Sequence, residues 1–251
     1  LTSDTLGSRS VAVGTDALSL QNFTTASNTY NTAVGHSAGG AVTTGTDNVL
    51  IGGLAGDSLT DADFNVAIGT SALGADTLGS RSIAIGVSAL AAQNFTTATD
   101  AYNVAVGTLA GLSVTTAINN VLLGGLAGDA LQAGSDNTVV GYNALGAETG
   151  AQNNVAIGTN ALATQNITSG NVYNTAVGSK AAQQLTTGTD NTFVGGVSGD
   201  ALTTGSNVVV VGAGALGSDT KGSGTVAIGR IALAAQNFTT ATTSNNVAVG
   251  E

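Results

Sequence analysis

The stretch Asn48-Val-Leu-Ile-Gly52 is followed 17 residues later by Asn65-Val-Ala-Ile-Gly69, and variants of this five-residue phrase occur fourteen times in the 251-residue chain. The glycines that end the phrase lie at positions 14, 35, 52, 69, 86, 107, 124, 141, 158, 178, 195, 212, 229 and 250. Most are 17 residues apart, and every fourth interval is longer by three or four residues. A fixed period of this length is typical of architectures in which each repeat packs on its neighbours.

Each phrase has the composition of a short β-strand followed by a turn. The residue before the closing glycine is β-branched in thirteen phrases, and the residue three before it is Val, Ile or Thr in all fourteen. These two positions lie on one face of an extended strand, because successive side chains alternate between faces. Stretches such as Thr43-Thr-Gly-Thr-Asp-Asn48 supply the positive-φ corners of tight turns.

The repeat predicts an all-β fold, a parallel β-solenoid of about fourteen 17-residue coils. A single repeat cannot bury its own apolar stripe, whereas stacked repeats can, because each strand pairs with its equivalent above and below. We expect one repetitive domain, 1–251, with super-repeats 14–85, 86–157 and 158–228 and the start of a fourth at 229–251. Asn opens ten of the fourteen phrases, which predicts a ladder of side-chain amides hydrogen-bonded along the axis.

The middle residue of the phrase predicts a lateral partner. We expect the two outer apolar positions to fill the interior and the middle residue, such as Leu50 or Ala67, to point outward. The middle residue is apolar in every phrase, whereas a solvated face would be polar. Another copy of the same chain is the simplest cover for a continuous apolar stripe. An aspartate in place of Ile68 or Ile157 is then expected to disrupt the stacked core.

The composition argues against most catalytic and binding classes. The chain has one His, no Cys, and 15 acidic residues against five basic ones, a net charge of −10. No nucleophile, base and orienting group can be assembled from this inventory, so we expect no enzyme, no cofactor and no metal. The negative charge disfavours nucleic acid, and no apolar run is long enough for membrane insertion. Because the chain lacks Met and opens on Leu1, we expect a processed product or a segment of a longer protein.

The phrase resembles the head repeat of the trimeric autotransporter adhesins (YadA-like). The resemblance rests on Asn65 to Ala72 and Asn154 to Ala161, which follow the pattern Asn-Val-Ala-Ile-Gly-x-x-Ala. Asn174 to Asn191 is similar to the 17-residue repeats of bacteriophage tail fibres. The period of 17 departs from the shorter adhesin repeat. The resemblance implies left-handed coils (a β-roll), packing as a homotrimeric rod and an extracellular location, on a bacterial cell surface or a virion.

These features together predict a non-catalytic structural and adhesive fibre segment, a rigid trimeric rod of a surface adhesin or phage tail fibre involved in attachment. Its expected partners are copies of itself, in a lateral homotrimer and end to end, and a cell-surface glycan or protein receptor. A head-to-tail extracellular filament is one alternative. A monomeric ice- or ligand-binding solenoid is another, for which Thr44-Gly-Thr46 has the required spacing but Asp61-Ala-Asp63 interrupts the array.

The long coils carry the candidate surface contacts in an insertion that reads Gln-Asn-Phe-Thr-Thr at 21–25 and recurs in each super-repeat. The candidate residues are Asn22, Phe23, Thr24, Asn94, Phe95, Thr96, Asn166, Ile167, Thr168, Asn237, Phe238 and Thr239. Under one interpretation they form a row of protruding contacts for a glycan, a surface polymer or a neighbouring fibre. Under the other, Phe and Ile fold inward and fill a locally wider core. The Asn-x-Thr triplets match the N-glycosylation pattern, which we expect to be coincidental here.

The carboxylates and the single histidine are weaker candidates for a metal-binding or catalytic site. Two recurring sets of turn aspartates are Asp47, Asp136 and Asp190, and Asp57, Asp129 and Asp200. Stacked carboxylates at equivalent corners could bind calcium, but the calcium-roll pattern Gly-Gly-x-Gly-x-Asp is absent. We therefore interpret them as turn residues in contact with water. His36 follows the phrase at a position that varies between repeats, where we expect no catalytic role.

Overall fold

The computed structural model describes residues 4–251 and confirms the all-β parallel solenoid. Among these residues there is no helix, and hence none long and apolar enough to cross a membrane. The chain divides into two compact units, Leu1–Gly125 and Leu126–Glu251. The handedness and the homotrimer stay predictions.

The first unit stacks seven three-residue strands of the described residues in parallel, in the order β2-β4-β5-β6-β8-β10-β11. Four two-residue strands pair beside them as β1-β3 and β7-β9. The strands are β1 Gly7–Ser8, β2 Val11–Val13, β3 Ser27–Asn28, β4 Thr32–Val34, β5 Val49–Ile51, β6 Val66–Ile68, β7 Gly79–Ser80, β8 Ile83–Ile85, β9 Thr99–Asp100, β10 Val104–Val106 and β11 Val121–Leu123.

The second unit repeats this arrangement with seven three-residue strands in the order β12-β14-β16-β17-β18-β20-β22 and short pairs β13-β15 and β19-β21. The strands are β12 Thr138–Val140, β13 Ala151–Gln152, β14 Val155–Ile157, β15 Gly170–Asn171, β16 Thr175–Val177, β17 Thr192–Val194, β18 Val209–Val211, β19 Gly222–Ser223, β20 Val226–Ile228, β21 Thr242–Thr243 and β22 Val247–Val249.

Equivalent residues of successive phrases pair directly with one another. Leu50 is opposite Ala67, with Val49 opposite Val66 and Ile51 opposite Ile68. Each long coil also contains a two-residue strand that pairs with a two-residue strand of the coil before it. In one of these short pairs, Thr99 of β9 is opposite Gly79 of β7. Each side chain therefore lies over its own counterpart one coil away, about 4.8 Å along the stack.

The middle residue of the phrase faces the interior, so the expected facing of these strands was wrong. It is buried in the twelve phrases between the first and the last, as Leu50 and Ala67 show with no exposed surface. Val66 and Ile68, on either side of Ala67, are partly exposed on the opposite face. A three-residue strand turns one side chain inward, and the narrow interior takes the single middle residue rather than the pair of β-branched ones.

Glycines at a second interior position make room for the large middle residues. Leu50 lies against two glycines, since a Cβ added at Gly39 or Gly56 would come within 2.6 or 2.7 Å of its Cδ atoms. Phe193 takes the same place in the third super-repeat, where a Cβ at Gly199 would lie 2.4 Å from the ring. A large middle residue is thus accommodated by the absence of a side chain next to it, as close packing requires.

The phrase-ending glycine is fixed by its neighbour in the next coil. Gly52 has a φ of +134°, and a Cβ there would lie 2.6 Å from the carbonyl oxygen of Gly69. Both the backbone conformation and the space exclude any side chain. The phrase therefore ends in glycine because the backbones of successive coils touch at this position.

The asparagine ladder is present and is buried. The main-chain N–H of Asn65 donates to Oδ1 of Asn48 at 2.9 Å, and that of Asn48 donates to Oδ1 of Asn31 at 3.0 Å. The Nδ2 of Asn48 donates to the carbonyl oxygen of Ala62 at 2.8 Å, in a turn of the next coil. Each carboxamide thus joins its strand to the next coil through both of its polar atoms.

We expect Ala67→Asp to lower the free energy of unfolding by on the order of 3–5 kcal/mol, because it places an unpaired carboxylate in the sealed interior. Urea unfolding followed by far-UV circular dichroism measures the loss. Thr70→Asp, an exposed change in the same coil, is the control and should shift stability by about 0.5 kcal/mol or less. Equal losses in the two variants would contradict the inward assignment of the middle residue.

Candidate functional site

Each long coil bonds to a carboxylate in the coil before it, and this carboxylate is buried in three of the four cases. For the long coil that opens the second super-repeat the carboxylate is that of Asp76, which has no exposed surface. Gln93 Nε2 donates to Asp76 Oδ2 at 2.6 Å. The main-chain N–H groups of Phe95 and Gly79 both donate to Oδ1, at 3.0 and 3.1 Å. The carboxylate therefore satisfies donors at the start of the insertion and in the turn beneath it.

The glutamine links this carboxylate to the asparagine ladder. Gln93 Oε1 accepts from Nδ2 of Asn103 at 2.8 Å, and its Nε2 is 3.0 Å from Oγ of Ser82. All three side chains are fully buried. A network in which every buried polar atom finds a partner specifies one local conformation, because any shift leaves a group unpaired.

The same three-residue relay recurs at every long coil. Its members elsewhere are Asp4, Gln21 and Asn31, then Glu148, Gln165 and Asn174, then Asp219, Gln236 and Asn246. Among the main-chain donors, Ile167 and Phe238 take the place of Phe95. The relay explains why an insertion starts at the same point of every fourth coil.

Sequence reasoning overlooked these acids, although a signal was present. Asp76, Glu148 and Asp219 each lie seven residues after a phrase-ending glycine. In the preceding coils that position holds leucine, as at Leu59 and Leu131, and the coil that follows holds the glutamine. An acid followed one coil later by glutamine, in a column that is otherwise apolar, indicates a buried polar pair.

The aromatic rings of the first two insertions face inward. Phe23 and Phe95 are each only 7% exposed. Phe95 lies over Gly79, where a Cβ would approach its ring to 2.8 Å. The long coil of the third super-repeat has the smaller Ile167 in place of the phenylalanine. In the coil before it, Ala151 replaces the glycine that is equivalent to Gly79. Phe23 and Phe95 thus contribute to packing, and they do not protrude as contacts.

The asparagines and threonines of the insertions face solvent. All eight are exposed: Asn22, Thr24, Asn94, Thr96, Asn166, Thr168, Asn237 and Thr239. Asn94 Oδ1 accepts from Oγ1 of Thr77 in the preceding coil at 3.2 Å. The long-coil corner therefore presents amides and hydroxyls to the outside, and these remain the candidate contacts of the insertion.

Three corner aspartates lie in partly desolvated positions. Burial raises the pKa of Asp57, Asp129 and Asp200, each of which occurs once per super-repeat. Asp57 lies close to Gly74 of the next coil, where a Cβ would be 3.3 Å from its Oδ1. Within residues 4–251 no group of three or more His, Asp or Glu side chains is placed to hold a metal ion.

The outward face of the stacked strands is a uniform surface in each unit. None of the fourteen three-residue strands contains a charged side chain. Their outward residues are β-branched in nearly every coil and partly exposed, with Val106 at 36% and Val194 at 38%. Seven strands at about 4.8 Å and three residues of about 3.3 Å give a face of roughly 29 by 10 Å in each unit.

Comparisons of the chain with protein-family models, with curated proteins and with solved structures found no match.

We expect Asp76→Leu to destabilise the chain by on the order of 3–5 kcal/mol, because it leaves one N–H of the Gln93 amide and two main-chain N–H groups buried without an acceptor. Urea unfolding measures the loss. Asp76→Leu combined with Gln93→Leu should recover part of it, since the column then resembles Leu59. Asp61→Leu, at an exposed aspartate, is the control, and a loss for Asp76→Leu no larger than for this variant would contradict the buried relay.

The three corner aspartates predict a pH dependence. A pKa raised by folding means that ionisation costs stability, so their contribution worsens as the pH rises from below about 3.9, the unfolded carboxyl value. The triple variant Asp57→Asn, Asp129→Asn, Asp200→Asn should melt at a higher temperature than the wild type at pH 7, with a smaller difference at pH 3. Asp16→Asn, at an exposed corner, is the control. A triple-variant difference independent of pH would rule out the desolvation argument.

Proposed function

We propose that the chain is a non-catalytic structural segment of an extracellular fibre, which packs side by side with copies of itself and takes part in attachment. The observation that supports this proposal is the uncharged, β-branched outer face of the strands. With an area of roughly 290 Å² in each unit, this face approaches the size of the largest patches on monomeric proteins, which often mark an interaction site. The role that fits is that of a rod in a bacterial surface adhesin or a phage tail fibre.

A second copy of the chain is the partner that suits this face best. The outward side chains repeat at every coil, so a copy placed alongside in parallel presents ridges with the same spacing of about 4.8 Å. No charge on the strands opposes the approach. Closed symmetry limits such lateral packing to a small number of copies, and the resemblance to trimeric adhesin heads favours three.

The proposal leaves the turns free to meet a receptor. The corners of the long coils carry exposed amide and hydroxyl groups at Asn94, Thr96 and their equivalents. These groups can donate and accept hydrogen bonds, as recognition of a cell-surface glycan or a protein receptor requires. Attachment is thus assigned to the turns and assembly to the strands.

Light scattering after size exclusion tests the assembly, and we expect a species of three chains, each of 24.1 kDa. Ile68→Asp combined with Ile85→Asp should give a monomer with an unchanged far-UV circular dichroism spectrum, because both changes lie on the outer face. Thr96→Asp, on the long-coil corner, is the control and should remain trimeric. A monomeric wild type would contradict the proposal and favour the ligand-binding solenoid, whereas open-ended polymers would favour the filament.

A further inference from the structure

The residue that precedes the phrase forms a surface column with a left-handed backbone conformation, in which Asp47 is partly exposed and the rings and arginines of the first unit are exposed. In the first unit its φ values lie between +51° and +66° for the six coils from Arg9 to Tyr102. In order along the stack these residues are Arg9, Tyr30, Asp47, Phe64, Arg81 and Tyr102. The three rings are 46–52% exposed. The column thus places cations, rings and a carboxylate one coil apart at the surface.

The fold does not require aromatic residues at these positions. Left-handed φ is least costly for glycine, asparagine and aspartate. In the second unit six of the seven equivalent residues are of these types: Asp136, Asn153, Asp190, Asn207, Gly224 and Asn245. Rings that are half exposed, at positions where the second unit mostly has asparagine, aspartate or glycine, are not needed for packing and are therefore available for a contact.

In this column, one arginine side chain already lies between two aromatic rings. The guanidinium carbon of Arg81 lies 4.7 Å from the centroid of the Phe64 ring and 5.9 Å from that of Tyr102. Its Nε donates to Oδ1 of Asp100 at 3.0 Å. Two rings that are two coils apart therefore hold a planar cation between them, and a carboxylate fixes the edge of that cation.

Tyr30 and Phe64 stand in the same relation without a cation between them. They are also two coils apart, roughly 9.6 Å along the stack, and the residue in the coil between them is Asp47. The Asp47 carboxylate has no hydrogen bond or ion pair within the part of the chain that the structure describes. The guanidinium of Arg9 lies 5.4 Å from the Tyr30 ring. Cation and ring thus alternate along the column except at Asp47.

We propose that Tyr30, Asp47 and Phe64 form a binding slot for a guanidinium group, supplied by an arginine side chain of a partner polypeptide. The two rings would stack on the faces of the guanidinium, as Phe64 and Tyr102 do on Arg81, and the carboxylate would accept its N–H groups in a bidentate pair. Lysine fits less well, because an ammonium group is compact and cannot lie flat between two rings. The slot does not depend on the proposed lateral assembly.

The charge around the slot favours a cation. The carboxylate of Asp63, one coil from Asp47, accepts from Oγ1 and the main-chain N–H of Thr46. The whole chain carries a net charge of −10. Arg9 and Arg81 each lie two coils from Asp47, beyond a ring, so their repulsion of a bound guanidinium is opposed by the nearer carboxylates.

The first test titrates the full chain with the blocked peptide acetyl-Gly-Arg-Gly-amide and follows the ring resonances of selectively labelled Tyr and Phe by NMR. We expect saturable shifts at Tyr30 and Phe64 with an affinity in the millimolar range, as a single exposed slot allows. The matching lysine and citrulline peptides, which lack the planar group or the charge, should bind several-fold more weakly. Absence of saturable shifts, or equal shifts at the exposed Tyr173, would overturn the proposal.

The second test uses substitutions that the column tolerates elsewhere. Asp47→Asn should weaken binding of the arginine peptide by about tenfold, since it removes a charge-assisted pair, with no change in melting temperature. Asp190→Asn is the matched control, because Asp190 occupies the same column beside Tyr173 on one side and Asn207 on the other. Equal loss of affinity in both variants would contradict a slot built on Asp47.

The third test supplies the missing cation from the chain itself. Asp47→Arg should complete the alternation of cation and ring, raise the melting temperature and abolish binding of the arginine peptide. Asp190→Arg, with a ring on one side only, should not raise the melting temperature. If Asp47→Arg binds the peptide as well as the wild type does, the rings do not enclose the site and the proposal fails.

Discussion

The hydrogen bonds that join each coil to its equivalent in the next coil impose the constraint on which the remaining structure depends. Once Leu50 pairs with Ala67 and Asn65 bonds to Asn48, every position along the coil lies over its own counterpart about 4.8 Å away. Each residue must therefore fit against the equivalent residues of the coils above and below it. Glycine is required where two turns touch, and asparagine supplies an acceptor for a buried main-chain N–H. The 17-residue period in the sequence results from this stacking of equivalent positions.

Variation along the columns shows how the stack accommodates change without losing register. A large residue such as Leu50 is tolerated because two coils give up side-chain volume at Gly39 and Gly56. A polar substitution is tolerated where it brings its own partners, as Asp76 does with Gln93 and two main-chain donors. The longer coils follow from that relay, because the insertion begins at the N–H that the carboxylate accepts. Departures from the basic repeat are therefore compensated within one or two coils, as expected when each repeat contacts only its neighbours.

The sequence predicted the solenoid, the coil boundaries and the asparagine ladder, because a fixed period and a recurring amide leave few alternatives. It did not predict which face of the strand turns inward. Ala67 is small and Val66 and Ile68 are large, so hydrophobicity alone assigned the larger pair to the core, whereas the narrow interior has room for one side chain per strand. The relay at Asp76 was overlooked because acids were assessed as surface turn residues. Column-by-column comparison, with Leu59 before Asp76 and Gln93 after it, contains the missing signal.

The corrected facing strengthens the case for assembly and separates it from recognition. Had the alanines pointed outward, the lateral surface would have been shallow and small; with Val66 and Ile68 outward, it is β-branched and deeper, and gains more from being covered. Under the proposed assembly the strands are covered by copies of the chain. Selectivity for other partners would then reside in the turns, where one residue per coil varies widely in chemistry. In the first unit that freedom has placed Tyr30 and Phe64 on either side of Asp47 at a conformational cost that Asn153 and Asn207 avoid in the second. Because this column holds asparagine, aspartate, glycine, arginine or a ring in coils of the same backbone conformation, the chemistry of the turns can change without disturbing the stack that carries them.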